Sequence, residues 1–176
     1  TQSANAAYRV SASVVTDARA TSVSGCRVSV TAAMMPGMPS APDIATARLV
    51  LRAPSEADRD TWIALHRDPR TYTHAPHAMA ASDEVASVQF DKVLAHWDRE
   101  GYGYHLVEEQ GQVVGCGGLK RNDDPAELNL YYRLVFGAAG QGLAREAARA
   151  WVAWGLEWLP TLPIVVTILT FLFGFQ

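Results

Sequence analysis

Five short segments of the chain have the residue pattern of β-strands. In residues 47–52 apolar positions alternate with charged ones, and residues 163–170 are rich in β-branched residues. Alternation with a period of two is typical of a strand that is half buried. A turn at residues 109–111 joins the second and third segments into a hairpin. The five predicted strands are residues 47–52, 104–108, 112–119, 127–135 and 163–170.

Three other segments repeat apolar residues at helical spacing. Ser55, followed three residues later by Asp58, predicts the start of the first helix, and Ser82 with two acidic residues predicts the second. The third helix follows a glycine-rich turn and connects two predicted strands, which is the order of a βαβ unit. Its apolar stripe is Leu143, Ala147, Ala150, Trp151, Trp154 and Trp158.

This order of elements predicts an α/β (α+β) fold. The sheet is mixed and mostly antiparallel, because hairpin-connected strands come first and a helical crossover joins the last two. The chain has 176 residues and 49% hydrophobic residues, which suits one domain with a sizeable core.

Composition excludes some classes of partner and site. The formal net charge is -3 without a basic block, so we predict no nucleic-acid partner. The two cysteines indicate neither a disulfide framework nor a metal cluster, and the default location is the cytoplasm. His74 and His77 share one loop without further ligands nearby, so no metal site is expected. Cys116 is expected to be a packing residue and His105 to lie on a strand surface.

The two ends of the chain differ from its middle. Residues 1–45 are rich in Ala, Ser and Thr, and are expected to be a disordered or non-native extension, with a mitochondrial transit peptide as the alternative. Residues 46–176 are the predicted domain. No charged residue lies between Trp158 and Phe175, but Pro160 and Pro163 interrupt that stretch, so membrane insertion is the less favoured interpretation.

The glycine-rich turn before the third helix is the strongest chemical signal. The first turn of a helix carries unpaired N–H donors and a partial positive charge. Gly140 and Gly142 allow a bulky anion such as a phosphate to approach the backbone closely. Strand, glycine turn and helix together therefore predict an anion-binding site, although a Gly-x-Gly turn alone is also common as a simple connection.

Two segments resemble the GCN5-related N-acetyltransferase (GNAT) family. Residues 139–147, Ala-Gly-Gln-Gly-Leu-Ala-Arg-Glu-Ala, resemble its pyrophosphate-binding segment, most closely in the branch that acetylates ribosomal-protein N-termini and related small amines. Residues 46–52 with the capped helix after them resemble the family's opening. The similarity extends over about residues 46–168. Ala139 departs from the family, which commonly has an aromatic or basic residue there.

The resemblance implies acetyl-CoA as co-substrate. Main-chain groups at the end of the preceding strand would pair with its pantetheine arm and polarise the thioester carbonyl, and the glycine turn would bind its pyrophosphate. The residues implied are Leu134, Val135, Phe136, Ala139, Gly140, Gln141, Gly142, Leu143 and Ala144.

The resemblance also implies candidate catalytic residues. Glu127 matches the position of a carboxylate that deprotonates the amine, although an ordinary solvated charge is an equal alternative. Asn129 and Tyr131 share its face of the strand, because alternate residues point the same way. Tyr131 is either a proton donor or, more in keeping with a strand aromatic, a packing residue.

The expected function is N-acetyl transfer from acetyl-CoA to a primary amine, on a protein N-terminus or a small molecule, by direct attack. The family's last helix and strands have no match after residue 170, so a C-terminally truncated domain is expected. The first alternative is therefore a non-catalytic or defective acyl-CoA-binding fold. A protein with a C-terminal membrane anchor is the second. The sequence does not specify the acceptor amine, the general acid or the oligomeric state.

Overall fold

The computed structural model describes residues 8–11, 41–73, 75–121, 127–159, 162 and 164–168. The strands are β1 (Tyr8–Ser11), β2 (Ile44–Ala45), β3 (Leu49–Arg52), β4 (Tyr104–Glu109), β5 (Gln112–Arg121), β6 (Leu128–Leu134) and β7 (Ile164–Ile168). The helices are α1 (Arg59–Arg67), α2 (Asp83–Glu100) and α3 (Leu143–Trp158). Short 3-10 turns at Glu56–Asp58, Pro69–Tyr72, Pro76–Ala78 and Phe136–Ala138 complete the described elements.

All seven strands form one sheet in the order β1-β7-β6-β5-β4-β3-β2. Every neighbouring pair is antiparallel except β6 and β7, which are parallel and are connected by α3. The predicted mixed, mostly antiparallel sheet and its five predicted strands are therefore confirmed. The sequence pattern missed β1 and the two-residue β2.

Helices cover both faces of the sheet. A Cβ added at Gly117 would meet Trp151 of α3, and one added at Gly155 of α3 would meet Leu119, so α3 lies on the face that carries residues 117 and 119. Side chains alternate along a strand, which places Lys120 on the opposite face. Lys120 shares a cavity there with residues of α1 and α2.

The predicted helix starts depend on the expected polar groups. Ser55 donates from its backbone N–H (2.8 Å) and its hydroxyl (2.9 Å) to Asp58, and this pair caps the 3-10 turn that precedes α1. Ser82 caps α2 by accepting the backbone N–H of Val85 at 3.3 Å. The predicted stripe of α3 is buried apart from Trp158, which is half-buried.

Ordered structure begins before the predicted domain boundary at residues 45 and 46. Ile44 pairs with Leu51 and is 1% exposed, and Ala41 also belongs to the core. Residues 8–11 form β1 beside β7. Residues 1–7 and 12–40 of the predicted extension lie outside the described residues, as do residues 169–176, which the predicted truncation concerns. Within the described part of the chain, no helix is long and apolar enough to span a membrane.

Candidate active site

Strands β6 and β7 separate before β6 ends. Their parallel register covers Leu128 to Leu130 on β6, yet β6 continues to Leu134. The last residues of β6 remain paired with β5 on the other side, and the Val135 N–H donates to the Val114 carbonyl at 2.9 Å. The β7 side of this stretch therefore has a backbone edge without a strand partner among the described residues. An edge of this kind can hydrogen-bond an extended ligand.

The chain turns from this edge directly into α3. The 3-10 turn after β6 is closed by the Ala138 N–H, which donates to the Val135 carbonyl at 3.0 Å. Gly140 (φ 77°) and Gly142 (φ 76°) then adopt the left-handed conformation that favours glycine. Gly142 is the N-cap of α3, and no side chain caps the helix. The first-turn N–H groups of α3 thus face an open site that suits an anion.

Glu146 fixes the N-terminal turn of α3 to the start of β3. Its carboxylate accepts the Thr46 hydroxyl (2.6 Å), the Arg48 backbone N–H (2.9 Å) and the Arg48 side chain (2.8 Å). Burial raises the pKa of Glu146, but these hydrogen bonds together outweigh it and hold that pKa below its usual range. Arg48 also donates to the Gln141 carbonyl at 3.1 Å. These contacts hold the turn against the segment that precedes β3, and the opposite side of the turn remains open.

A cavity of about 360 Å³, here named the cradle cavity, lies at this turn. All the cofactor residues suggested by the sequence line it except Gln141, whose side-chain amide donates to the Gly137 carbonyl at 2.8 Å. The 3-10 turn after α1 supplies a wall that the sequence did not indicate. The lining residues are Arg70, Thr71, Thr73, Tyr132, Arg133, Leu134, Val135, Phe136, Ala138, Ala139, Gly140, Gly142, Leu143 and Ala144.

A second cavity, of about 270 Å³, lies between the sheet and helices α1 and α2. We name it the lysine cavity, because Lys92 of α2 and Lys120 of β5 both line it. Aromatic rings form much of the remaining wall. The other lining residues are Trp62, His66, Tyr72, Ala78, Gln89, Val93, Tyr104, Tyr131 and Arg133.

Arg133 forms part of both cavities. Its guanidinium lies 3.5 Å from the centroid of the Tyr72 ring and donates to the Tyr131 hydroxyl at 2.8 Å and to the Thr71 carbonyl. One side chain thus connects β6 with the 3-10 turn after α1. Arg133 could not be identified from the sequence, because nothing in its local pattern indicates contacts with residues about 60 positions earlier.

Of the three candidate catalytic residues, Asn129 and Tyr131 lie on β6 and Glu127 comes just before it. Tyr131 lines the lysine cavity, and burial raises the pKa of its phenol, so its hydroxyl stays protonated at neutral pH. The Asn129 amide donates to the Tyr104 hydroxyl at 3.4 Å. Glu127 is half-buried, immediately precedes β6 and is not among the lining residues of either cavity. The structure therefore brings Tyr131, but not Glu127, to a cavity wall.

Other titratable groups near the sheet are buried and neutral. Burial lowers the pKa of His66 to about 4, so its ring in the lysine cavity is uncharged at pH 7. Cys116 is fully buried, and burial raises the pKa of its thiol to about 12, which fits a packing role. The expected surface position of His105 was wrong, because it is 2% exposed and packs near Trp97 and Trp151. The described residues contain no group of three or more potential metal ligands.

Comparison with known proteins gives consistent results. Residues 48–170 match the family model described as "Acetyltransferase (GNAT) domain". The chain is similar to a GnaT-family acetyltransferase from Bordetella pertussis (22% identity, TM-score 0.60, 71% of this chain and 77% of that one). It is also similar to an acetyltransferase from Agrobacterium tumefaciens (27% identity, TM-score 0.59, 73% of this chain and 74% of that one). RimL, a ribosomal alpha-N-protein acetyltransferase solved with coenzyme A, has the same fold (17% identity, TM-score 0.53, 68% of this chain and 70% of that one).

Proposed function

The chain belongs to the GNAT acetyltransferase family, and from this premise we propose that it transfers the acetyl group of acetyl-CoA to a primary amine. The observation that carries the proposal is the cradle cavity at the uncapped start of α3. A pyrophosphate needs several N–H donors and room for its oxygens. The left-handed glycines and the free first turn of the helix supply both.

The same cavity supports a position for the pantetheine arm. Leu134 to Phe136 line it at the point where β6 has lost its pairing with β7. An extended arm bearing amide groups can hydrogen-bond this backbone edge as an added strand would. The exposed rings of Tyr132 and Phe136, about half accessible, offer apolar surface beside it. We therefore place the reactive end of the co-substrate near the last residues of β6.

The acceptor amine approaches from the lysine cavity in this proposal. Its nitrogen forms a C–N bond to the thioester carbonyl carbon, and the C–S bond breaks. The amine gives up one proton and the departing sulfur takes up one. Tyr131 is our candidate donor of that proton, because its hydroxyl is protonated at neutral pH. The nearby Arg133 guanidinium, which donates to that hydroxyl, counteracts part of the rise in the Tyr131 pKa that burial causes.

Calorimetric titration of CoA into the full chain tests the cofactor site. In the variant Ala144→Glu, a carboxylate stands in the first turn of α3 inside the cradle cavity. An acidic residue there stabilises the helix through its dipole, while it repels a phosphate. We expect an unchanged melting temperature and a loss of CoA affinity of more than about tenfold. The added carboxylate and a bound phosphate would repel each other by over about 1 kcal/mol at contact distance.

Ala153→Glu is the matched control. Ala153 is exposed on the same helix and does not line the cradle cavity, so the added charge is identical but remote. Its affinity for CoA is expected to equal that of the parent. If both variants bind as the parent does, or if the folded parent does not bind CoA, the cofactor assignment is wrong. If CoA binds but no amine is acetylated, the chain is a non-catalytic acyl-CoA-binding member of the family.

A further inference from the structure

The lysine cavity contains every lysine of the protein. Of 15 basic residues in the chain, only Lys92 and Lys120 are lysines, and they come from different elements, α2 and β5. Lysine carries a compact, point-like charge on a flexible stem, whereas arginine offers a rigid planar fork. The two ammonium groups therefore suit a small anionic group that enters the cavity between them.

The positive charge of this cavity is not neutralised within the described part of the chain. No Asp or Glu is among its lining residues, and His66 is neutral at pH 7. The ion pairs among the described residues involve arginines elsewhere, and none includes Lys92, Lys120 or Arg133. Lys92 is exposed and Lys120 is half-buried with its ammonium 5.9 Å from the centroid of the Tyr104 ring. Both ammonium groups are thus available to a ligand.

The lysine cavity adjoins the cradle cavity along two elements. On β6, Tyr131 lines the former, Tyr132 the latter and Arg133 both. On the 3-10 turn after α1, Tyr72 lines the lysine cavity, while its neighbours Thr71 and Thr73 line the cradle cavity. Neighbouring Cα atoms are about 3.8 Å apart. The two cavities therefore share Arg133 and border the same stretch of β6, beside the place proposed for the thioester.

From these observations we propose that the acceptor is a primary amine that also bears a carboxylate or phosphate group, which Lys92 and Lys120 bind. The inference rests on the proposed acetyl transfer and specifies its substrate class. An anionic group is attracted by the two ammonium groups, for which the described part of the chain supplies no carboxylate in the cavity wall. A polyamine or a basic peptide is repelled by them, so the same charges favour one class of acceptor and disfavour the other. They also favour the neutral form of the bound amine, which is the form that attacks.

Three C-terminally amidated peptides of equal length with a free N-terminal serine test the proposal: Ser-Asp-Glu-Gly-NH2, Ser-Asn-Gln-Gly-NH2 and Ser-Lys-Arg-Gly-NH2. Amidation removes the terminal carboxylate, so only the first peptide is anionic in its side chains. Free glutamate is tested as a fourth acceptor. Its rate relative to that of the acidic peptide shows whether the site prefers a small amino acid or a peptide. Initial rates with acetyl-CoA give kcat/KM for each acceptor in the parent, Lys92→Gln and Lys120→Gln. Arg99→Gln is the matched control, because it removes one charge from an exposed position of α2 outside the cavity.

We expect the acidic acceptors to be preferred over the basic peptide by at least about tenfold, the range of one charge-assisted hydrogen bond. Each lysine variant should lose about five- to tenfold in kcat/KM for the acidic peptide, mainly through a higher KM, and clearly less for the neutral one. Arg99→Gln should change neither. Equal rates with all three peptides, or equal effects of all three substitutions, would overturn the inference while leaving acetyl transfer intact.

The second measurement keeps the proposal testable in the absence of turnover. Calorimetry measures binding of the acidic peptide to the parent loaded with CoA and to Lys120→Gln. Binding to the parent that weakens in the variant supports an anion subsite even if no acetyl group is transferred, and then only the proposed activity fails. If the acidic peptide does not bind, or binds both proteins equally, the subsite is wrong.

Discussion

The two cavities that meet at Arg133 are built in opposite ways. The cradle cavity takes most of its lining from one continuous run, residues 132–144, and offers backbone N–H groups and glycine conformations. The lysine cavity is assembled from side chains of α1, α2, two 3-10 turns and strands β4, β5 and β6. Main-chain groups can be supplied by many different sequences, whereas the wall of the lysine cavity depends on the particular side chains of this chain. Function specific to this chain is therefore expected in the lysine cavity.

Replacement of the shared residue should have the largest effect. Arg133→Lys keeps the positive charge but cannot at once stack on Tyr72 and donate to both Tyr131 and Thr71. We expect kcat to fall about 100-fold, which corresponds to about 2.7 kcal/mol of lost transition-state stabilisation. Affinity for CoA should fall less than threefold, since the cradle is mostly backbone. Steady-state kinetics and calorimetry on the same preparation measure the two effects.

Arg99→Lys serves as the control for this substitution, because Arg99 is exposed and lies outside both cavities. A loss of CoA affinity as large as the loss of kcat would show that Arg133 holds the cofactor instead of joining the two sites. Unchanged kcat would mean that the contact between the cavities is not where transfer takes place.

A smaller effect is expected from the backbone of the cradle itself. In Gly142→Ala a side chain must adopt φ near 76°, where it costs about 1–2 kcal/mol. Relaxation of the turn would misalign the first N–H groups of α3, so we expect CoA affinity to drop about tenfold and the melting temperature to decrease slightly. Gly137→Ala is the control, since Gly137 has no positive φ and a Cβ there meets nothing within 4 Å. Equal CoA affinity in the two variants would contradict a role for the left-handed turn.

Most of the fold could be predicted from local sequence patterns. Strand alternation, the Ser55–Asp58 and Ser82 caps and the apolar stripe of α3 each act within a few residues, and all correspond to elements of the structure. Strand β2 has only two residues, too short for a pattern to be seen. His105 was misplaced because alternation assigns one face to solvent, whereas helices cover both faces of this sheet.

The candidate site also has a part that local sequence patterns predict and a part that they do not. The cradle residues could be named from sequence, because a glycine turn and a helix start are consecutive in the chain. Arg133 and the lysines of the lysine cavity could not, since Lys92 and Lys120 lie on different elements and each resembles an ordinary surface charge. Their convergence is a property of tertiary packing. One sequence signal was available in retrospect: a chain with 15 basic residues has only these two lysines.

The smallest effect is expected from Glu127→Gln, and it tests the general base that the family resemblance implies. Glu127 precedes β6, and an extended strand of this length places it about 20 Å from Arg133, at about 3.3 Å per residue. A base must reach the amine directly or through a water molecule, and the positively charged lysine cavity already favours an uncharged amine. We therefore expect kcat/KM to fall less than about threefold, with an unchanged pH profile. A loss of about 100-fold, with the acid limb of the profile removed, would establish Glu127 as the base. It would also place the reacting amine at the start of β6, beyond the lysine cavity.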